Sequence, residues 1–307
     1  DTDNQKTKEV EKRLTNVDFF VSSEIKPTSR FSIRAGLRAS SQSLFKDQYA
    51  SSIGLRYLFN KGYELRGSLG KSFRTPDFDE LYSRINFSSH HFYGNENLIP
   101  ENSTSYEINF RKTSTLASGF KIAHNISAAF LDVDDRIDMA FVGYEGQNEP
   151  VYQAVNINRY NMWNLAANTE IEYRNLNFHA GISYAGISQV IDNGAIVSDD
   201  RYLYSLQMNG NLTYNFKKIN TQFTLFCKYN GKQQQFVAVT ENQETKYRIS
   251  EIEAYTFVDA SLKKSFFTNR FDATIGARNI LDVTRIQQGL ATGGAHDVTT
   301  NILMGYG

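Results

Sequence analysis

Between Arg30 and Ser40 the chain alternates without a break. Phe31, Ile33, Ala35, Leu37 and Ala39 fall on one side of an extended strand; Ser32, Arg34, Gly36, Arg38 and Ser40 fall on the other. A period of two over this length can cross a bilayer as a tilted strand. Two arginines on one face are costly in hydrocarbon, so that face must look into a wet lumen. The pattern returns at Tyr49–Phe59, where Ile53, Leu55, Tyr57 and Phe59 oppose Ser52, Gly54 and Arg56. It returns at Trp163–Tyr173, where Leu165, Ala167, Thr169, Ile171 and Tyr173 oppose Asn164, Asn168, Glu170 and Glu172.

Further copies run through Phe120–Phe130, Phe178–Tyr184, Leu206–Phe216, Gln222–Tyr229, Ala254–Leu262 and Phe271–Arg278, with weaker ones at Val17–Ile25, Tyr63–Leu69 and Tyr106–Arg111. The sum is about a dozen strands. Asn60-Lys61-Gly62 and Asn175-Leu176-Asn177 read as tight turns; Arg84–Asn102, Gly143–Asn158, Gln189–Arg201 and Gly231–Glu251 read as extended polar loops. Short turns on one side and long loops on the other predict an all-β fold, a transmembrane antiparallel β-barrel. Composition agrees: 18 Tyr and 22 Phe stand in a chain of mean hydropathy −0.46, as aromatic girdles with polar loops require. The competing soluble β-sandwich has shorter strands and a more charged outer face.

Several classes drop out. The 33 basic and 33 acidic residues cancel, so no basic stripe exists for nucleic acid. No run of about 18 apolar residues offers a transmembrane helix. The single cysteine, Cys227, rules out an internal disulfide or a cysteine-based zinc site and reads as a small buried or lipid-facing side chain. Asp132, Asp134, Asp135 and Asp138 have calcium-like spacing but lack the loop glycine and terminal glutamate, so no metal site and no intrinsic cofactor are expected. His124 and His179 sit inside alternating strands and read as lumen or girdle residues. No basic-then-apolar leader opens the chain.

One region breaks the rhythm. Ser72-Phe73-Arg74-Thr75-Pro76 is followed by Glu80-Leu81-Tyr82, then by Gly94-Asn95-Glu96-Asn97-Leu98-Ile99-Pro100-Glu101 and Ser103, Tyr106, Glu107. This run resembles the barrel of TonB-dependent outer-membrane receptors: Ser-Phe-Arg-(Ala/Thr)-Pro, a Glu-Leu-Tyr turn, Gly-Asn-Pro-x-Leu-x-Pro-Glu and Ser-x-x-Tyr-Glu. It departs where Glu96 replaces the usual proline. Gly276-Ala277-Arg278-Asn279-Ile280-Leu281-Asp282 resembles the family's penultimate-strand signature. The resemblance covers essentially the whole chain.

The family has a barrel of about 22 strands, an amino-terminal plug and a TonB-contacting segment. Residues 1–307 therefore read as the carboxy-terminal part of such a barrel, without the plug and without the final strand; a self-contained twelve-strand barrel is the alternative, and an open sheet would leave edges unpaired in lipid. The resemblance implies import of a scarce, bulky nutrient across the outer membrane of a Gram-negative bacterium. The partners it implies are the protein's own plug and remaining strands, the TonB complex, outer-membrane lipid and a surface lipoprotein. In haem receptors of the family a histidine lies between the two boxes, and His90 and His91 occupy that interval. Haem is thus the first expectation for the cargo, with Phe87, Phe92 and Tyr93 packing on the porphyrin and His296 contacting substrate from the last long loop. Cobalamin or another corrinoid and a ferric siderophore are the alternatives; glycan import, a diffusion porin and an outer-membrane enzyme come after them. Arg34, Arg38, Arg56, Arg66, Glu170 and Glu172, with Glu64, suit a plug interface, since barrel-wall charges hold the plug in this family.

Overall fold

The computed structural model describes residues 12–87, 90–146, 149–190, 198–241, 244–268, 270–287 and 301–303. In chain order the strands are β1 (Asn16–Ile25), β2 (Phe31–Gln42), β3 (Gln48–Leu58), β4 (Tyr63–Arg74), β5 (Arg84–Asn86), β6 (His91–Tyr93), β7 (Glu101–Thr115), β8 (Lys121–Glu145) and β9 (Glu149–Tyr173). They continue as β10 (Leu176–Val190), β11 (Leu203–Phe216), β12 (Thr221–Asn230), β13 (Gln233–Glu241), β14 (Glu244–Ile252), β15 (Tyr255–Phe266) and β16 (Phe271–Ala277), with a short pair β17 (Arg285–Gln287) and β18 (Asn301–Leu303). One helix, α1 (Phe78–Tyr82), follows β4.

Twelve strands form one antiparallel wall in the order β1-β2-β3-β4-β7-β8-β9-β10-β11-β12-β15-β16. These are the strands the alternation predicts. Residues 26–30, 59–62, 116–120, 174–175 and 217–220 close one side with short turns. Gly62 shows how tight they are: its φ is +79°, and a β-carbon there would meet the Thr113 carbonyl oxygen at 2.2 Å. The Asn175 turn is narrower than expected, with Arg174 at φ 53° and Leu176 already paired to Tyr173.

The two faces of the wall differ as the alternation requires. On one, Ser32, Arg34, Arg56, Glu64, Asn109 and His179 line a polar cavity of about 770 Å³, and they come from strands as far apart as β2 and β10. This is the lumen. The opposite face exposes Ile108, Ile126 and Leu165, each more than half accessible, as a lipid-facing surface does. Aromatic rings edge that face at both heights. At the short-turn end Phe120 stacks on Tyr173 at 3.7 Å, and Tyr63 on Phe110 at 5.7 Å. At the other end Trp163 meets Tyr184 and Tyr204 at 5.3 and 6.1 Å. The Trp163 indole lies over Gly186, where a β-carbon would come within 2.5 Å of its nitrogen.

Two expected loops are largely strand, and a third holds short strands. Gly143–Asn158 belongs largely to the paired ends of β8 and β9, with Glu145 opposite Glu149. Gly231–Glu251 holds the β13–β14 hairpin, and Arg84–Asn102 holds β5, β6 and the start of β7. These segments lie beyond the twelve-strand wall, where no lipid-facing side is imposed on the chain. Alternation is then not required, while backbone groups still gain by pairing. Of Gln189–Arg201, residues 191–197 lie outside the described residues.

Candidate functional site

β8 and β9 are the longest strands, and they change neighbours part-way. β7 pairs with β8 only as far as Asp134, and β10 pairs with β9 only as far as Arg159. Beyond that point β8 and β9 leave the wall and continue as a ribbon. Asp135 marks the departure with φ 56°, a left-handed backbone. The Asn156 side-chain amide donates to the carbonyls of Asp135 and Ile99 at 2.7 and 2.9 Å and so ties the kink to the segment before β7. Burial raises the Asp135 carboxyl above its ordinary range, with the neighbouring Asp134 charge adding to it.

The two sequence boxes dock on this ribbon. Asp77 and Glu80 close a capping box around α1: the Asp77 carboxylate accepts from the Glu80 amide, and the Glu80 carboxylate accepts from the Asp77 amide. The Arg74 guanidinium donates to both oxygens of Glu80 at 2.8 and 2.9 Å and to Glu101 at 2.6 Å. Glu101 also accepts from the Ile137 amide at 2.7 Å. One arginine therefore clamps the first box, the helix and the second box to β8, and the two carboxylates raise its pKa, Glu101 most. Beneath the clamp, Leu81, Leu98, Ile137 and Ala154 form a small buried core. Asn95 donates to the Ala154 carbonyl at 3.0 Å, and a β-carbon on Gly94 would come within 2.6 Å of the Leu81 backbone. The boxes thus have a structural meaning: they fasten an apical module to the ribbon.

The β5–β6 hairpin hangs from this module. β6 adds to the ribbon in parallel, His91 opposite Val151 and Tyr93 opposite Gln153. His91 is buried; its Nε2 lies 2.7 Å from the Glu149 carboxylate, and its Nδ1 has no hydrogen-bond partner. Its ring stacks on Tyr93 at 5.9 Å, and the Tyr93 hydroxyl donates to Glu145 at 2.7 Å. Burial first, then that bond to Glu145, raises the Tyr93 pKa; the Arg84 guanidinium over its ring, at 4.7 Å, opposes the shift. His90 packs between Phe87 at 5.1 Å and Phe92 at 5.2 Å, and Phe92 stacks on Tyr152 at 5.3 Å. Of the five expected apical residues, Phe87, His90 and Phe92 are mutual ring neighbours, whereas His91 and Tyr93 stack on each other and are turned away from them. His296 lies outside the described residues.

Sequence reasoning missed Phe141, and it missed Tyr144, Tyr152 and the carboxylates Glu145 and Glu149 because it read Gly143–Asn158 as a loop. The apolar residues on both sides of Gly146 were the signal for a hairpin there. The lumen charges form local pairs: Arg34 with Glu24, Arg38 with Asp18, Arg56 and Arg66 with Glu64, and Glu172 with Lys121. Glu170 faces the same cavity. His179 is a lumen residue, and His124 lies on the lipid face at the short-turn rim, 3.0 Å from the Thr169 hydroxyl. Among the described residues no group of three or more His, Cys, Asp or Glu side chains is placed to hold a metal ion.

The family model for the TonB dependent receptor-like β-barrel matches residues 2–280. The chain belongs to this family. No curated relative matches the sequence. Among solved structures, the ferric enterobactin receptor PfeA of Pseudomonas aeruginosa, as a Q482A variant with enterobactin, is similar at 15% identity and a TM-score of 0.70, over 94% of this chain and 43% of that one. The siderophore receptor PirA of the same organism is similar at 16% identity and a TM-score of 0.67, over 88% and 45%. The FrpB iron transporter of Neisseria meningitidis is similar at 12% identity and a TM-score of 0.65, over 94% and 43%. This chain thus spans less than half the length of each. The family is one of receptors, and its barrels lie in the outer membranes of Gram-negative bacteria; it implies a plug domain and a TonB partner.

Proposed function

We propose that this barrel serves TonB-dependent import of a ferric siderophore across the outer membrane, with the short turns periplasmic and the ribbon extracellular. The observation that carries this reading is the position of His91. A haem ligand must present a ring nitrogen to iron. In His91 the Nε2 is held by Glu149, the ring is stacked and buried, and Nδ1 points into the protein. The resemblance suggested haem through this histidine pair, so its use in a structural latch removes much of that support. Similar structures named for ferric enterobactin and siderophores add weight to the alternative. Within the lumen, the paired arginines and glutamates form the surface against which the receptor's own plug rests. Further barrel strands, the TonB complex, lipid and a surface lipoprotein complete the proposed set of partners.

One observation favours a second reading. His90 stands between Phe87 and Phe92, an imidazole beside flat apolar rings, which suits haem. The full-length receptor, expressed in a strain stripped of its own iron-uptake receptors, decides the matter. Expected is TonB-dependent uptake of radioactive iron from at least one ferric siderophore, with growth on haem or cobalamin unchanged. A haem Soret shift that His90→Ala abolishes and His91→Ala leaves intact would replace the siderophore with haem.

A further inference from the structure

One stretch of the lumen wall breaks the polar rule that the rest of it obeys. The lumen row through His179 runs across Asn211 to Phe226 and Asp259. The next two lumen rows toward the ribbon side pair Lys228 with Phe257 and Asn230 with Tyr255. Phe226, Phe257 and Tyr255 therefore stand in the phase that faces water, where a barrel interior is polar. Together with Arg278 and Asn279, just past β16, these strand residues enclose a recess of about 230 Å³. Tyr255 and Phe257 meet edge to face at 5.2 Å. Lys228 and Arg278 both line the recess, and neither is in an ion pair among the described residues. Asn230 lines it too; the residue is only 4% exposed, and its side chain finds no hydrogen-bond partner among the described residues. Asp259 is the one carboxylate among the lining residues, and it accepts from the Asn279 amide at 2.7 Å.

We propose that this recess binds a small aromatic carboxylate, its ring against Phe226 and Phe257 and its charge held by Lys228, Arg278 and the Asn230 amide. Charge and size fix the class. Two cations against one carboxylate leave a single positive charge, which balances a monoanion and not a doubly charged phosphate. A guanidinium offers the two oxygens of a carboxylate paired donors. The same carboxylate gives the Asn230 amide the partner it lacks within the protein. The volume is below the roughly 300–1,000 Å³ of sites for drug-sized ligands, so a single ring with its carboxylate suits it. Asn230 ends β12 and Tyr255 opens β15, which places the recess at the ribbon end of the lumen. In the orientation proposed above a ligand reaches it from outside, as a free acid or as an arm of the imported chelate. Access rests on that orientation; binding rests on the recess alone.

Fluorine NMR of 4-fluorobenzoate with the full-length receptor in detergent tests the site. The expected result is saturable line broadening that unlabelled benzoate reverses, with 4-fluorobenzyl alcohol and 4-fluorophenyl phosphate bound about tenfold more weakly. Lys228→Gln and Arg278→Gln should each weaken 4-fluorobenzoate about tenfold, the worth of one hydrogen bond to a charged group. Asp259→Asn should narrow the gap between phosphate and carboxylate, a change of preference that a purely structural role would not produce. Heat-shifted gel mobility identifies folded samples, and the comparison of ligands tests the proposal on the unaltered protein if a variant fails to fold. Absence of saturable broadening would overturn it, as would an unchanged affinity in the Lys228→Gln, Arg278→Gln double variant. Iron uptake in excess benzoate then identifies the source of the ligand: competition assigns the recess to an arm of the cargo, and undiminished uptake assigns it to a free acid. Binding is measured without transport, so a failure of this site leaves the transport reading standing, and the reverse.

Discussion

β8 and β9 pass through two environments within single strands, and comparing their two halves shows what each solvent asks of a sequence. From Lys121 to Asp134 β8 is part of a wall, with β7 on one side and β9 on the other, oil on one face and water on the opposite one. There Ile126, Ala128 and Phe130 alternate with Asn125, Ser127 and Ala129. Past the Asp135 kink the same strand is half of a ribbon that stands clear of the wall. It buries Ile137 not against lipid but against Leu81 and Leu98 from another part of the chain. The wall is specified by periodicity, and the ribbon by particular long-range contacts.

The largest expected effect contrasts the halves directly. Leu165→Arg places a charge on the lipid face near mid-membrane, where such a change costs about 2–4 kcal/mol. Tyr144→Arg, on the exposed ribbon, should stay within about 0.5 kcal/mol. Urea unfolding of the receptor in lipid vesicles measures both, and similar costs would mean that the ribbon is packed as the wall is.

Next is the clamp. Arg74→Ala leaves Glu80 and Glu101 without their shared cation, and Glu101 is the more enclosed of the two. Because Arg74 is partly exposed, the cost is discounted for solvent to roughly 1–2 kcal/mol. Hydrogen exchange should rise in α1, β5 and β6 while β7 to β12 keep their protection. Exchange rising along the wall instead would mean that the boxes hold the barrel itself. A comparable, local loss of about 1–3 kcal/mol is expected for Gly94→Val, since its side chain would strike the Leu81–Tyr82 backbone; unchanged protection of α1 would show that the two segments can separate freely.

This division explains what was legible in the sequence. All twelve wall strands could be read from alternation, because the bilayer imposes a rule that each strand obeys by itself. The lumen charges followed from the same rule, as Arg34, Arg56 and Arg66 occupy the polar phase. The apical module could not be read that way. Arg74 and Glu101 are 27 residues apart and His91 and Glu149 are 58 apart. No local pattern announces such pairs. The His90-His91 doublet looked uniform in sequence, yet strand alternation sends its two rings to opposite sides, one to the aromatic group and one to the latch. Asn279 was legible as a motif but not as a mechanism. Its side chain accepts from the Val283 amide and donates to the Val283 carbonyl, and its own amide donates to Asp259, closing the chain just beyond β16.

The smallest expected effect lies at the boundary itself. The folded protein holds the Asp135 proton more tightly than the unfolded chain does, because burial and Asp134 disfavour the carboxylate. The folded form therefore binds more protons between the ordinary value of 3.8 and the raised one, and stability falls as pH rises through that window. The penalty is complete at neutral pH. Asp135→Asn removes it, and asparagine tolerates the left-handed backbone at this position. At pH 7 the variant should hold the ribbon more firmly by no more than about 1 kcal/mol, read as slower hydrogen exchange at Ile137 and Met139. Near pH 3 it should match the wild type. A variant that is weaker at both pH values would show that the kink depends on the carboxylate, and that the passage from wall to ribbon is fixed by charge and not by the backbone turn and the Asn156 bridge.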